Sequence, residues 1–267
     1  MSLKKKLLSI KSNDFEAPPN AFELALEMTS SIGSPDPQLR DELIYSVFSK
    51  WILDGVLSPK EMSKLLTIIL NDQHLFYRIG ETGTDSVFTR SFSVLLIPLI
   101  LIAHKNNPFL KGEEILQIKE NLFKYIAQEI DLRGYVDGKG WAHATAHAAD
   151  ALDDLAQCLE IEKADLQKIL DVVRVKITVT QTTYLHEEDE RMVTAVLSVL
   201  NREVFTSDEI DLWIKSFFDQ LDDDFSIGSY AQKINVKNFF RSLYYRLHEQ
   251  GKYPTIIQTL FNLSKYS

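Results

Sequence analysis

Residues 133–150, Arg133-Gly-Tyr-Val-Asp-Gly-Lys-Gly-Trp-Ala-His-Ala-Thr-Ala-His-Ala-Ala-Asp150, carry the densest information in the chain. A glycine-rich turn runs into a helix bearing His143, His147, Asp150 and Asp154. Side chains at helical spacings of four, three and four fall on one narrow stripe. Leu152, Leu155 and Leu159 fall on the opposite side, so the stripe is expected to face water or a groove, with the leucines buried. Two histidines at i and i+4 can share a metal ion only if another group completes the ligand set. Asp150 lies roughly 10 Å of helix rise beyond His143, too far to join it on one ion. A metal site would need His143 with His147, or His147 with Asp150, plus a group from elsewhere, so the helix alone assigns no metal; no cofactor is expected.

Helix signals recur outward from this segment in both directions. Asn20 can cap a helix from Ala21, and Asp36 followed by Pro37 makes a cap with a first-position proline. Ser58-Pro-Lys-Glu61 and Thr206-Ser-Asp-Glu209 are capping boxes that open apolar-periodic runs. Strand alternation is nearly absent. The β-branched run Val172 to Tyr184 is the one competitor, and most of it is still expected to be helical because Ala164 to Val173 is strongly so. The helices fall into pairs. First members lie near 21–32, 58–71, 111–129, 163–180 and 206–221; second members lie near 37–53, 84–104, 140–160, 187–203 and 233–249; a last helix lies near 254–265. The second members begin their apolar patterns at Leu39, Asp85, Trp141, Asp189 and Val236, 46 to 56 residues apart. That rhythm predicts an all-α fold, a right-handed α/α superhelix of stacked antiparallel helical hairpins of the HEAT/ARM kind. A single domain over 1–267 is expected, with 1–18 a loose N-terminal segment.

Composition narrows the function classes. The chain has 267 residues, 45% hydrophobic and 25% charged, ordinary for a globular protein. A formal net charge of −9 and a pI near 5.2 argue against nucleic acid and against an anionic membrane surface as partners. Lys4-Lys5-Lys6 is a terminal charge cluster, and Lys4 to Ile10 lacks the long apolar region of a signal peptide. The most apolar run, Val94 to Ala103, is interrupted by Pro98 and too short to span a bilayer. Cys158 is the only cysteine, which excludes an internal disulfide and points to the reducing cytoplasm.

The links into the second helices hold the unusual residues: Arg78, Glu81 and Asp85; then Arg133, Tyr135, Asp137 and Trp141; then His186, the acidic run 187–190 and Arg191. The acids favour a helix N-terminus electrostatically. Arg90 is expected to meet the carboxylates of Glu81 or Asp85, and Arg191 those of Glu188 or Asp189. Ser86-Val-Phe-Thr-Arg-Ser-Phe-Ser93 has no nucleophile-elbow glycines, and neither a phosphate-binding loop nor a dinucleotide fingerprint occurs. Three segments together, Gly80-Glu81 with Thr84 to Ser93, Arg133 to Asp150, and Glu188-Asp-Glu-Arg191, are similar to a bacterial family known only as domain of unknown function 2785. The resemblance runs from about Leu39 to about Leu247 and implies a helical, soluble protein; it brings no activity. The block also looks superficially like histidine motifs of zinc-dependent α/α toroid enzymes, but lacks their cysteines.

The residues point first to a binding protein that takes a small polar ligand or a protein segment in a concave groove lined by Arg90, Trp141, His143, His147, Asp150 and Arg191. Trp141 would stack, the arginines would contact anions, and the histidines would form a protonation-sensitive wall. A hydrolase working through His143, His147 and Asp150 is the second reading, and a non-catalytic interaction scaffold the third.

Overall fold

The computed structural model describes residues 1–221, 224 and 226–263. The helices of the first half are α1 (Leu3–Ser12), α2 (Ala21–Thr29), a π-helix (Gln38–Tyr45) running into α3 (Ser46–Leu53), α4 (Pro59–Ile69), α5 (Ser86–Val94), α6 (Leu96–Asn106) and α7 (Gly112–Gln128); Asn20 makes no side-chain cap on α2. A short hairpin of β1 (Tyr135–Val136) and β2 (Gly140–Trp141) precedes α8 (Ala144–Ala156). Then come α9 (Lys163–Ile177), α10 (Glu188–Asn201), α11 (Ser207–Lys215), a 3₁₀ turn (Phe218–Gln220), α12 (Ile227–Gln250) and α13 (Pro254–Leu263). Both capping boxes form, at Ser58 with Glu61 and at Thr206 with Glu209. Asp36 accepts from the Gln38 and Leu39 backbone N–H groups, as its cap position predicts. The chain divides into two compact units, Met1–Glu160 and Ile161–Ser267, where the sequence suggested one domain.

In the first unit, α3 packs on α6, and α5 and α6 pack on α8, so successive second helices lie side by side. The N-terminal residues expected to be loose instead form α1, which buries Leu7 completely and packs on the π-helix. The span Ser86–Asn106 is apolar and long enough to cross a membrane, yet 83% of its most apolar window is buried within the chain. It is a core element, and its helix breaks at Leu95. Pro98 explains the break: it has no N–H to offer the carbonyl four residues back, that of Val94. At the other end of α6, the buried His104 ring accepts two backbone N–H groups through Nδ1, from Phe109 and Leu110, each at 3.0 Å. One imidazole thus closes the turn into α7.

In the second unit, α9 and α12 flank α10, and α13 packs on α11 and α12. Its core is aromatic. Trp213 donates to the Leu170 carbonyl at 2.9 Å, and Phe217 stacks on Phe239 at 5.5 Å. The β-branched run resolves unexpectedly. α9 stops at Ile177, and the residues beyond are neither helix nor strand. Buried amides of α12 replace the missing backbone partners: Asn235 accepts from the Tyr184 N–H and donates to the Thr182 carbonyl, and Gln232 donates to the Thr178 carbonyl. Side-chain amides can satisfy irregular backbone in a core where a ladder does not.

The His104 arrangement makes a stability prediction. His104→Ala strands two backbone donors, one of them on the buried Leu110. Unfolding in urea should show a loss of ~3 kcal/mol, with Tm lower by several degrees. An unchanged urea midpoint would show that water replaces the ring without cost.

Candidate functional site

The hairpin before α8 is built on glycine. Tyr135 pairs with Trp141 and Val136 with Gly140, and the Lys139 N–H closes the turn onto the Val136 carbonyl at 3.0 Å. Gly140 sits at φ +79°, and a Cβ there would lie 2.9 Å from the Pro37 Cβ and 3.1 Å from both an Arg40 nitrogen and an Asp41 oxygen. Only glycine lets the strand come this close to the π-helix.

Arg40 is the reason for that approach. Its guanidinium is fully buried, 4.1 Å above the Phe88 ring and 4.8 Å above Phe92. It donates to the Ser34 and Lys139 carbonyls, both at 2.6 Å, and lies 2.7 Å from Asp41 through Nε. Asp41 in turn accepts the Trp141 backbone N–H. Burial lowers the Arg40 pKa and raises that of Asp41, and the attraction between them opposes both shifts. The far edge of the hairpin is tied outside by Lys139 to Asp85, at 2.7 and 2.8 Å.

On this frame the aromatic residues form a surface platform. Tyr135 is 49% exposed and Trp141 40%, and they meet edge to face at 5.0 Å. The Trp141 indole stacks on the His143 ring at 4.4 Å with 22° between planes. His143 holds a left-handed backbone, φ 48° and ψ 32°, at the head of α8. A side chain bearing Cβ pays strain in that region, and such outliers concentrate at functional sites. His143 meets His147 edge-on at 5.8 Å, and His147 meets Phe92 at 5.2 Å. His147 is buried and donates through Nδ1 to the Ser91 carbonyl at 3.1 Å. That bond makes Nε2 the basic nitrogen of the neutral ring.

The helical stripe is therefore not the open surface its spacing suggested. α8 is packed by α5, α6 and α7, so His147 and Asp154 are buried and only His143 and Asp150 are half-exposed. Asp154 is matched by Lys105 at 2.6 Å; burial raises its pKa and the lysine opposes the shift. Leu152 and Leu155 are buried as expected, but α8 ends at Ala156 and leaves Leu159 89% exposed.

Arg90 takes a different place from the groove expected of it. It is fully buried, and a bidentate fork joins it to Glu129 through Nε at 2.5 Å and Nη2 at 2.9 Å. Its remaining donors reach the Tyr77, Arg78 and Glu81 carbonyls and the Ser86 hydroxyl. From Glu81 it takes the main-chain oxygen; the Glu81 carboxylate is held by Ser86 and Thr84. With its donors engaged inside the chain, Arg90 has none for a ligand. Arg191 lies exposed in the first turn of α10, in the second unit. Beside it, Glu188 is buried and accepts the backbone N–H of His186, two residues back, at 2.9 Å.

Arg40, Asp41, Glu129 and Asp131 escaped the sequence. A lone arginine in a helix looks like a solvated charge, and nothing near it marks Arg40 as buried. Asp131 carried a faint signal, two residues before Arg133, with which it pairs at 2.6 Å.

A helical unit bearing an aromatic hairpin on a buried arginine frame is the class that fold and geometry define. The chain belongs to the family described as protein of unknown function DUF2785, whose model matches residues 75–245. The match takes in the Arg90–Glu129 fork, the hairpin and α8, while Arg40 lies outside it. No curated protein and no solved structure matches the chain.

Three variants test the frame. Gly140→Ala should cost about 2–3 kcal/mol, since the added methyl meets both backbone strain and a packed wall. Arg90→Gln should cost ~3–5 kcal/mol by leaving Glu129 buried and uncompensated, and Arg90→Met with Glu129→Leu should recover part of it. Chemical denaturation measures all three; a double variant no better than Arg90→Gln would mean the carbonyl contacts matter more than the ion pair.

Proposed function

We propose that this protein binds a small polar ligand or a short protein segment on the Tyr135–Trp141 platform, with His143 behind the indole and Asp150 at the half-exposed margin of α8. The observation that carries the reading is the exposure of Trp141 at 40%, against 1% for Trp51 and 4% for Trp213. A large aromatic side chain held in the open by a buried frame loses little freedom when a partner stacks on it. The reading leaves Arg90 as framework and Arg191 as an exposed charge of the second unit. It includes a cytoplasmic setting, supported by the single buried cysteine. It also includes right-handed superhelical stacking, supported within each unit by the packing of successive second helices.

A hydrolase reading has one observation in its favour. The strained backbone of His143 and the fixed tautomer of His147 lie one helical turn apart. Binding is favoured over it because the exposed groups of the platform are aromatic.

A fragment panel followed by thermal shift tests the proposal. Fragments that stabilise the wild type should fail to stabilise Trp141→Ala, whose own Tm should stay within about 2 °C of the parent as expected for an exposed side chain. Bound fragments should also shield the acrylamide-quenchable part of the tryptophan emission. Hits that stabilise both proteins equally would move the site elsewhere.

A further inference from the structure

We propose that a second site lies away from the platform, in a cleft of about 600 Å³ between the end of α2 and the residues that follow α4, and that it takes a neutral polyhydroxylated ligand of monosaccharide size. The volume is that of small-molecule sites in general.

The lining is unusual for a surface cleft: hydroxyl, amide and imidazole groups, with no Asp, Glu, Lys or Arg among them. In a chain that is 25% charged, an uncharged lining is informative. Ser31, Gln73, Tyr77 and Thr89 line the cleft, and their side-chain polar groups have no hydrogen-bond partner among the described residues. All but Gln73 are half-buried. The wall is rigid. A Cβ on Gly33 would lie 1.9 Å from the Thr89 hydroxyl, so the chain after α2 is pressed directly onto α5. His74 is pinned at one side, with Nδ1 3.0 Å from the Asn71 side-chain oxygen and the Thr29 carbonyl accepting from its ring. Burial lowers the His74 pKa, and the hydrogen bond to the Thr29 carbonyl opposes that shift.

Chemistry then selects the ligand. The lining itself offers an anion no cation and a cation no carboxylate; the Arg78 guanidinium beside it lies 5.7 Å over the Tyr77 ring and pairs with Glu81. An apolar ligand would strand the hydroxyls and the Gln73 amide without partners. A sugar or cyclitol presents hydroxyls that both donate and accept, matching Ser31, Thr89 and Tyr77, while the Gln73 amide offers both functions on one group. Leu39 supplies apolar surface for the C–H face of such a ring.

The test uses the full chain and ligand-observed saturation-transfer NMR with D-glucose, D-galactose, D-mannose and myo-inositol, alongside glucose 6-phosphate and glucosamine as charged counterparts. At least one neutral probe should bind in the millimolar range, and its charged counterpart about tenfold more weakly. Ser31→Phe, which fills the cleft, should abolish binding, and Gln73→Ala should weaken it severalfold. Gln73 is exposed, so that second variant folds even where the first does not. Trp141→Ala should leave sugar binding unchanged, which separates this site from the platform. The proposal is overturned if no neutral probe binds, if a charged probe binds more tightly, or if Gln73→Ala and Ser31→Phe bind like the parent. Tighter binding of a charged probe would make it a site for charged ligands, and either of the other two results would make the cleft a solvent-filled surface feature.

Discussion

Glu129 and Arg90 meet where neither reaches water, and much of the first unit is organised around that meeting. Removing two charges from solvent is unfavourable, and the loss is offset only when geometry and hydrogen bonding are complete. Arg90 meets that condition by also binding three carbonyls from the 77–81 segment. Glu129 meets it by accepting the Asp131 backbone N–H at 2.9 Å. Asp131, buried itself, accepts from the Gly83 backbone N–H and holds the Arg133 guanidinium, which donates onward to the Thr84 carbonyl at 2.6 Å. Two arginines and two acids thus set the path of both links that lead to the hairpin. The backbone of those links runs through irregular structure, where no helix or sheet supplies partners. The charges supply them instead.

The helical architecture was legible because its signals are local. Ser58 with Glu61, Thr206 with Glu209 and Asp36 each solve the problem of unsatisfied N–H groups within three residues of themselves, so the sequence displays them. The end of α9 was not legible. The run from Val172 to Tyr184 depends on Asn235 and Gln232, more than fifty residues further along, for its backbone partners. The site divides in the same way. Trp141 and His143 drew attention through spacing and glycine content, and both retain exposed surface at the head of α8. His147 and Arg90 were expected at a surface, because periodicity gives the side of a helix a residue occupies but not whether a neighbouring helix covers it. α5 and α6 cover that side of α8. Leu159 failed for a simpler reason: the helical angle used to place it ceases to apply once α8 ends at Ala156.

The Arg40 contacts join residues 99 and 101 positions apart, Lys139 and Trp141, to a side chain near the start of the chain. Pairings of such long range close large loops and are entropically late in folding. The hairpin is too short to hold its own shape in water. Its order is therefore inherited from the π-helix, and the aromatic face sharpens only once residues 34–41 have docked. In the folded molecule the dependence persists as a mechanical linkage. A local opening of the π-helix, of the kind that native proteins undergo well below their global unfolding free energy, releases Gly140 and Trp141 together. The aromatic surface thus reports on a segment it does not adjoin in sequence, and the three carbonyls that Arg40 holds are the hinge pins of that motion.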